Sequence, residues 1–143
     1  MPKGRTVTGK FYKNVVLRKL KNYYKSRRPK TGLKYVRLLH DNAPAHKARI
    51  VTDFLESEKV TVLPLPPYSP DLAPCDYFLF PKLKYHLSGR RYNSRNALGS
   101  AVYQCLMGVP IEEYEKCFQK WIDRLKRCVL AGGEYFEGQS KLI

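Results

Sequence analysis

Five prolines stand between positions 64 and 74: Pro64, Pro66, Pro67, Pro70 and Pro74. Each fixes its own φ and lacks an amide donor, so this stretch can be neither a helix interior nor a central strand. It must be a loop, and the ordered elements of the chain fall to either side of it.

Upstream, Thr8 reads as a helix N-cap. Tyr12, Val15, Val16, Leu20, Tyr23 and Tyr24 recur at helical spacing, predicting an amphipathic helix over 9–26. Its other face carries Lys10, Lys13, Arg18, Lys21 and Lys25, and Arg28–Gly32 breaks it. Tyr35–His40 reads as a buried strand that stops at Asp41. Asn42 and Pro44 open a second helix through about Ser57, with Ala48, Val51, Phe54 and Leu55 inward. Val60–Leu63 is a second strand. Strand, helix and strand in so short a span predict a parallel α/β unit, with strands at about 35–40 and 60–64.

Downstream, Asp76 opens an apolar helix containing Tyr77, Phe78, Leu79, Phe80 and Leu83, which Ser88–Arg91 ends. A further helix has Leu98, Val102, Cys105 and Leu106 on one face. Another follows Pro110, with Ile111, Tyr114, Phe118, Trp121, Leu125 and Val129, and stops at Gly132-Gly133. With 43% hydrophobic and 13% aromatic residues, wholesale disorder is excluded. No apolar run approaches the roughly 18 residues of a membrane span, and Met1–Arg5 lacks the apolar stretch of a signal peptide. Cys75, Cys105, Cys117 and Cys128 form no close pair, unlike a disulfide scaffold or zinc ribbon. They are expected to be reduced thiols, mostly packed as small hydrophobes, in a cytosolic or nuclear protein.

The net charge is +15, and it is unevenly placed. Residues 1–40 hold thirteen Lys or Arg and no acid, whereas 41–143 hold fourteen bases against twelve acids. An acid-free basic segment attracts polyanions, nucleic acid foremost, although such a face can also be merely solvated.

Two carboxylates could carry chemistry. Asp41 falls at the carboxyl end of a predicted parallel strand, where α/β folds place their sites. Asp76 falls at a helix start, where the dipole favours a negative charge. Brought together by a folded-back loop they would make a hard-oxygen site suited to Mg²⁺ or Mn²⁺. Position alone also fits plain helix caps.

His40-Asp41-Asn42-Ala43-Pro44-Ala45-His46 and Tyr68-Ser69-Pro70-Asp71-Leu72-Ala73-Pro74-Cys75-Asp76-Tyr77-Phe78-Leu79-Phe80 resemble the two signature motifs of mariner-type transposases. Thirty-four residues separate Asp41 from Asp76, as in that family's second and third catalytic aspartates. Gly4–Val7 upstream, and the stretches Glu115–Cys117 and Tyr135–Glu137 downstream, also sit where the family has similar sequence, so the resemblance spans nearly the whole chain.

The resemblance implies an RNase H-like catalytic domain that cuts transposon ends and joins them to target DNA with divalent metal, Mg²⁺ or Mn²⁺. Carried over, Asp41 and Asp76 are two of three catalytic, metal-binding carboxylates. Asp71 is expected to shape the turn, His40 and Asn42 to orient Asp41 and cap the next helix, and His46 to face either the site or solvent, solvent being the plainer reading. The family's first aspartate lies on an earlier strand, and residues 1–40 contain none. The expectation is therefore a truncated catalytic domain over 1–143 lacking its first strands. It comprises a basic helix and linker (1–34), a core with both motifs (35–90) and C-terminal helices (91–143). An unpaired sheet edge would invite homodimerisation. The expected partner is DNA, in the nucleus and not at a membrane, with catalysis lost. The alternatives are a non-catalytic, sequence-nonspecific DNA- or RNA-binding module, and a peptide-like interaction segment using the Pro-x-x-Pro spacing of 64–74.

Overall fold

In the computed structural model, residues 6–133 are described. Met1–Arg5 and 134–143 lie outside them, and with these the expectations for Gly4-Arg5 and for Tyr135–Glu137. The chain folds as two compact units, Met1–Pro67 and Tyr68–Ile143, and the boundary falls inside the proline loop.

In the first unit Thr8 caps as expected, its Oγ1 accepting the Phe11 N–H at 3.2 Å. The predicted helix exists but is not uniform: α1 (Gly9–Phe11) passes through a wider π turn (Tyr12–Leu17) into α2 (Arg18–Arg27). A π turn rotates the helix beyond it, and hydrophobic spacing alone does not announce one. Here Leu17 becomes fully buried, against Val51 and Leu55 of the helix Arg49–Ser57, with Tyr12, Leu38, Ala48, Phe54 and Val60 packed around them.

The strands β1 (Arg37–Leu39) and β2 (Thr61–Leu63) are parallel, with Arg37 opposite Thr61, Leu38 opposite Val62 and Leu39 opposite Leu63. They are shorter than 35–40 and 60–64. Tyr35 stands at φ 72°, which keeps it out of a strand. Between them the single helix expected from Asn42 to Ser57 is two: α3 (Pro44–Lys47) and α4 (Arg49–Ser57), separated at Ala48, whose ψ of 134° is extended. Val51 and Leu55 are buried and Phe54 half-buried, as their spacing predicts.

In the second unit a 3₁₀ turn (Pro70–Leu72) leads into a π turn (Cys75–Leu79) that runs directly into α5 (Phe80–Leu87). Helix α6 (Arg95–Met107) starts at Ser94, whose side chain accepts the Ala97 N–H at 3.1 Å. Helix α7 (Ile111–Leu130) follows Pro110 and ends before Gly132, at φ 67°. Its expected apolar face is only partly covered. Cys117 is buried and Trp121 half-buried, while Ile111 and Val129 remain 69% and 78% exposed. All four cysteines are free thiols, but only Cys117 is packed as a buried hydrophobe, and Cys75 is exposed. Among the described residues no helix is long and apolar enough to cross a membrane.

Candidate functional site

Asp41 sits two residues beyond β1, where a parallel strand delivers its side chain past the carboxyl edge of the sheet. Its carboxylate is well exposed and doubly held. Oδ1 accepts the Ala43 N–H at 3.0 Å and lies 2.7 Å from His46 Nδ1. The same ring nitrogen is 3.2 Å from the Asp41 carbonyl oxygen. The Ala43 N–H foremost holds the Asp41 carboxyl below the usual carboxylate range; burial opposes it, and His46 and then His40 add to the lowering.

Around it lies an aromatic cluster. The His40 and His46 rings stack with centroids 4.6 Å apart, and Tyr12, from the π turn, lies 4.4 Å from His46. The Tyr12 hydroxyl is 3.4 Å from His40 Nδ1. Burial pushes the Tyr12 hydroxyl pKa up, with Asp41 adding to it, and lowers that of His40, where His46 acts in the same sense. His40, Asp41 and His46 border a cleft of about 480 Å³ that extends along α4 and β2 to Leu65.

Two expectations change here. Asn42 does not cap the following helix, whose first turn carries no side-chain cap. Its Nδ2 donates instead to the Leu65 carbonyl at 2.8 Å, tying the Asp41 segment to the start of the proline loop. His46 is more than a bystander, because the short α3 turns its ring back onto Asp41.

Asp76 belongs to the second unit. It lies exposed in the π turn, its N–H donating to the Ala73 carbonyl at 2.8 Å. The segment before it is the best-buried stretch of that unit: Asp71, Leu72 and Ala73 are 6%, 2% and 7% exposed. Helix α7 clamps it. Trp121 Nε1–H donates to the Leu72 carbonyl at 2.8 Å, and Arg124 Nη1–H to the Asp71 carbonyl at 3.1 Å. The Tyr77 hydroxyl donates to the Cys117 carbonyl at 3.0 Å, and the Arg124 guanidinium lies 4.3 Å over its ring. Burial foremost, then Cys117, drives the Tyr77 hydroxyl pKa up, while Arg124 works against it. Burial, then Asp76 and Cys117, raises that of the Cys75 thiol.

The roles of Tyr12, Trp121 and Arg124 were not read from the sequence. Trp121 was visible only as one more apolar position on a helix face. Among the described residues no group of three or more His, Cys, Asp or Glu is placed to hold a metal ion.

Residues 4–99 match the family of DDE superfamily endonucleases. The chain belongs to that family. The chain is 39% identical over 99 residues to the Mariner Mos1 transposase of Drosophila mauritiana, covering 69% of itself but only 29% of the relative. The structure of the Mos1 transposase catalytic domain with raltegravir and Mn superposes with a TM-score of 0.83 at 36% identity. That match covers 93% of this chain and 67% of the other. The Mos1 paired-end complex with left transposon end gives 0.83 at 36% identity, over 93% of this chain and 38% of that one. The chain thus has the RNase H-like α/β fold in part, with a two-stranded parallel sheet and mostly helices among the described residues. It is homologous to the mariner transposase catalytic domain, as the two motifs imply.

Proposed function

We infer that this transposase-derived chain binds DNA, and that Asp41 and Asp76 are two of the carboxylates that hold Mg²⁺ or Mn²⁺ in a site whose ancestral work is DNA cleavage and strand transfer. The observation that carries this reading is the state of Asp41: an exposed carboxylate at a sheet's carboxyl edge, kept ionised by a backbone N–H. That is the donor chemistry a hard divalent cation takes.

Each aspartate, within its own unit, offers the donor chemistry of such a site. Asp41 offers oxygen to solvent, and Asn42, bonded to Leu65, fixes the backbone that presents it. His46 occupies one side of Oδ1 and limits how the carboxylate can turn. Asp76 is exposed in the second motif, whose buried lead-in is braced by α7. When bound, the divalent ions of such sites activate water and stabilise the leaving oxygen of a phosphodiester. The contribution of the protein is to orient two carboxylates and to attract the polyanion through its acid-free segment. The Mos1 structures with Mn and with transposon-end DNA support both the ion and the nucleic acid.

Residues 1–40 supply no carboxylate for the family's first position. The 143-residue chain alone is therefore proposed to hold metal weakly and to leave DNA uncut. A nuclear location is proposed from the expected action on DNA, and self-association from the short sheet. A second reading, a non-catalytic and sequence-nonspecific DNA- or RNA-binding module, is favoured by the concentration of positive charge before Asp41.

Calorimetric Mn²⁺ titration of the parent chain, Asp41→Asn and Asp76→Asn decides between them. Weak binding that either substitution abolishes supports the metal reading. Superimposable isotherms for all three proteins sink it.

A further inference from the structure

Helix α7 carries Lys116, Lys120 and Arg124 four residues apart. That spacing keeps them on one face, about 6 Å apart along the axis at roughly 1.5 Å per residue. In the structure all three line one concavity of about 220 Å³, whose other wall includes Tyr77, the residue after Asp76.

The charge in this cleft is not internally neutralised. Its one lining acid, Glu113, is ion-paired with Lys82 of α5. Arg124 is engaged by the Asp71 carbonyl and the Tyr77 ring, so it builds the wall. Lys116 and Lys120 are exposed, and among the described residues no carboxylate lies within ion-pairing distance of either. A basic helix face is commonly just solvated. Two things set this face apart. It belongs to the part of the chain where acids and bases nearly balance, and it faces a concavity built on the turn that carries Asp76.

We propose that Lys116 and Lys120 form a second DNA-contacting site, gripping the phosphodiester backbone of a duplex beside Asp76. This rests on the reading that DNA is the ligand. Lysine ammonium groups act as point charges on phosphate and carry no base readout, so the site contributes affinity and position without sequence preference. The Tyr77 hydroxyl, already donated to Cys117, serves as wall rather than ligand.

The test is the salt dependence of binding to a labelled duplex oligonucleotide, followed by anisotropy on the full chain. Lys116→Ala with Lys120→Ala is compared with the parent and with a control pair, Lys84→Ala with Lys126→Ala, of equal charge change. Loss of two phosphate contacts lowers the slope of log affinity on log salt by about 0.9 per contact. The control pair leaves it near the parent value. Circular dichroism checks that α7 persists, and the single Lys116→Gln and Lys120→Gln variants replace the pair if it does not fold. A parent that binds, with a slope unmoved by the substitutions or moved equally by the control pair, overturns the proposal while leaving DNA binding intact. A parent that fails to bind at low salt overturns DNA binding itself, and this site with it.

Discussion

Gly9 and Ala48 meet backbone to side chain: a Cβ placed on Gly9 would collide with that of Ala48 and stand 3.3 Å from the Ala45 carbonyl oxygen. Gly9 begins α1 and Ala48 parts α3 from α4, so this contact sets how closely the basic helix approaches the segment that ends in His46. Gly9→Ala is expected to destabilise the chain by about 1–3 kcal/mol, the range for overpacking a filled site. Gly99→Ala, in α6 with open space around it, should instead stabilise by roughly 0.5–1 kcal/mol. Urea midpoints for the two variants measure both. Equal effects would show that Gly9 is not packed as described.

Binding should depend on the first unit's exposed cations. Lys10, Lys19 and Lys25 are exposed on α1 and α2, and reversing all three to Glu removes attraction without touching the buried Leu17. Duplex affinity should fall at low salt, with little difference between sequences, because phosphate contacts do not read bases. Unchanged affinity at low salt would place the binding surface elsewhere.

Catalysis is expected to be absent from the isolated chain. Two-ion phosphoryl transfer needs a clamp at both the attacking and the leaving oxygen. Glu112 and Glu113 fall in the first turn of α7, where they complement its dipole, and Glu113 is already paired with Lys82. Supercoiled plasmid incubated with Mn²⁺ should remain intact. Nicking that vanishes in Asp41→Ala would reveal a recruited ligand and a working nuclease.

What the sequence displayed was local. The Thr8 hydroxyl, Pro44 at a helix start and the glycines after α7 announce their element ends through short-range chemistry, and the structure places them so. The parallel pairing of β1 and β2 followed from two apolar runs with a helix between. The break at Ala48 was hidden, because alanine is an excellent helix former and only packing against Gly9 and the turn of His46 toward Asp41 distinguish it. Both π turns were equally silent, since their apolar residues suit an ordinary helix. In the candidate site the two motifs exposed Asp41 and Asp76, but the partners of the motif backbones lie far along the chain. Leu65 holds Asn42, and Trp121 holds Leu72 forty-nine residues away. Such pairings arise from tertiary packing, which spacing does not encode.

The Trp121 bond should be worth having. Trp121→Phe keeps an aromatic ring but leaves the Leu72 carbonyl, on a residue 2% exposed, without its indole donor. A loss of about 1–3 kcal/mol is expected, the cost of an unsatisfied buried acceptor. Thermal unfolding followed by circular dichroism gives the value. A loss near zero would mean that water replaces the indole at that carbonyl.

Trp121 is also the only tryptophan in the sequence, and its indole is bonded four residues upstream of Asp76. The sequence thus carries a fluorophore on the backbone that leads into the second motif. Emission excited at the red edge, away from the eleven tyrosines, will shift whenever that N–H leaves its carbonyl. The motif therefore reports its own ordering, label-free, as ions, DNA or denaturant are added.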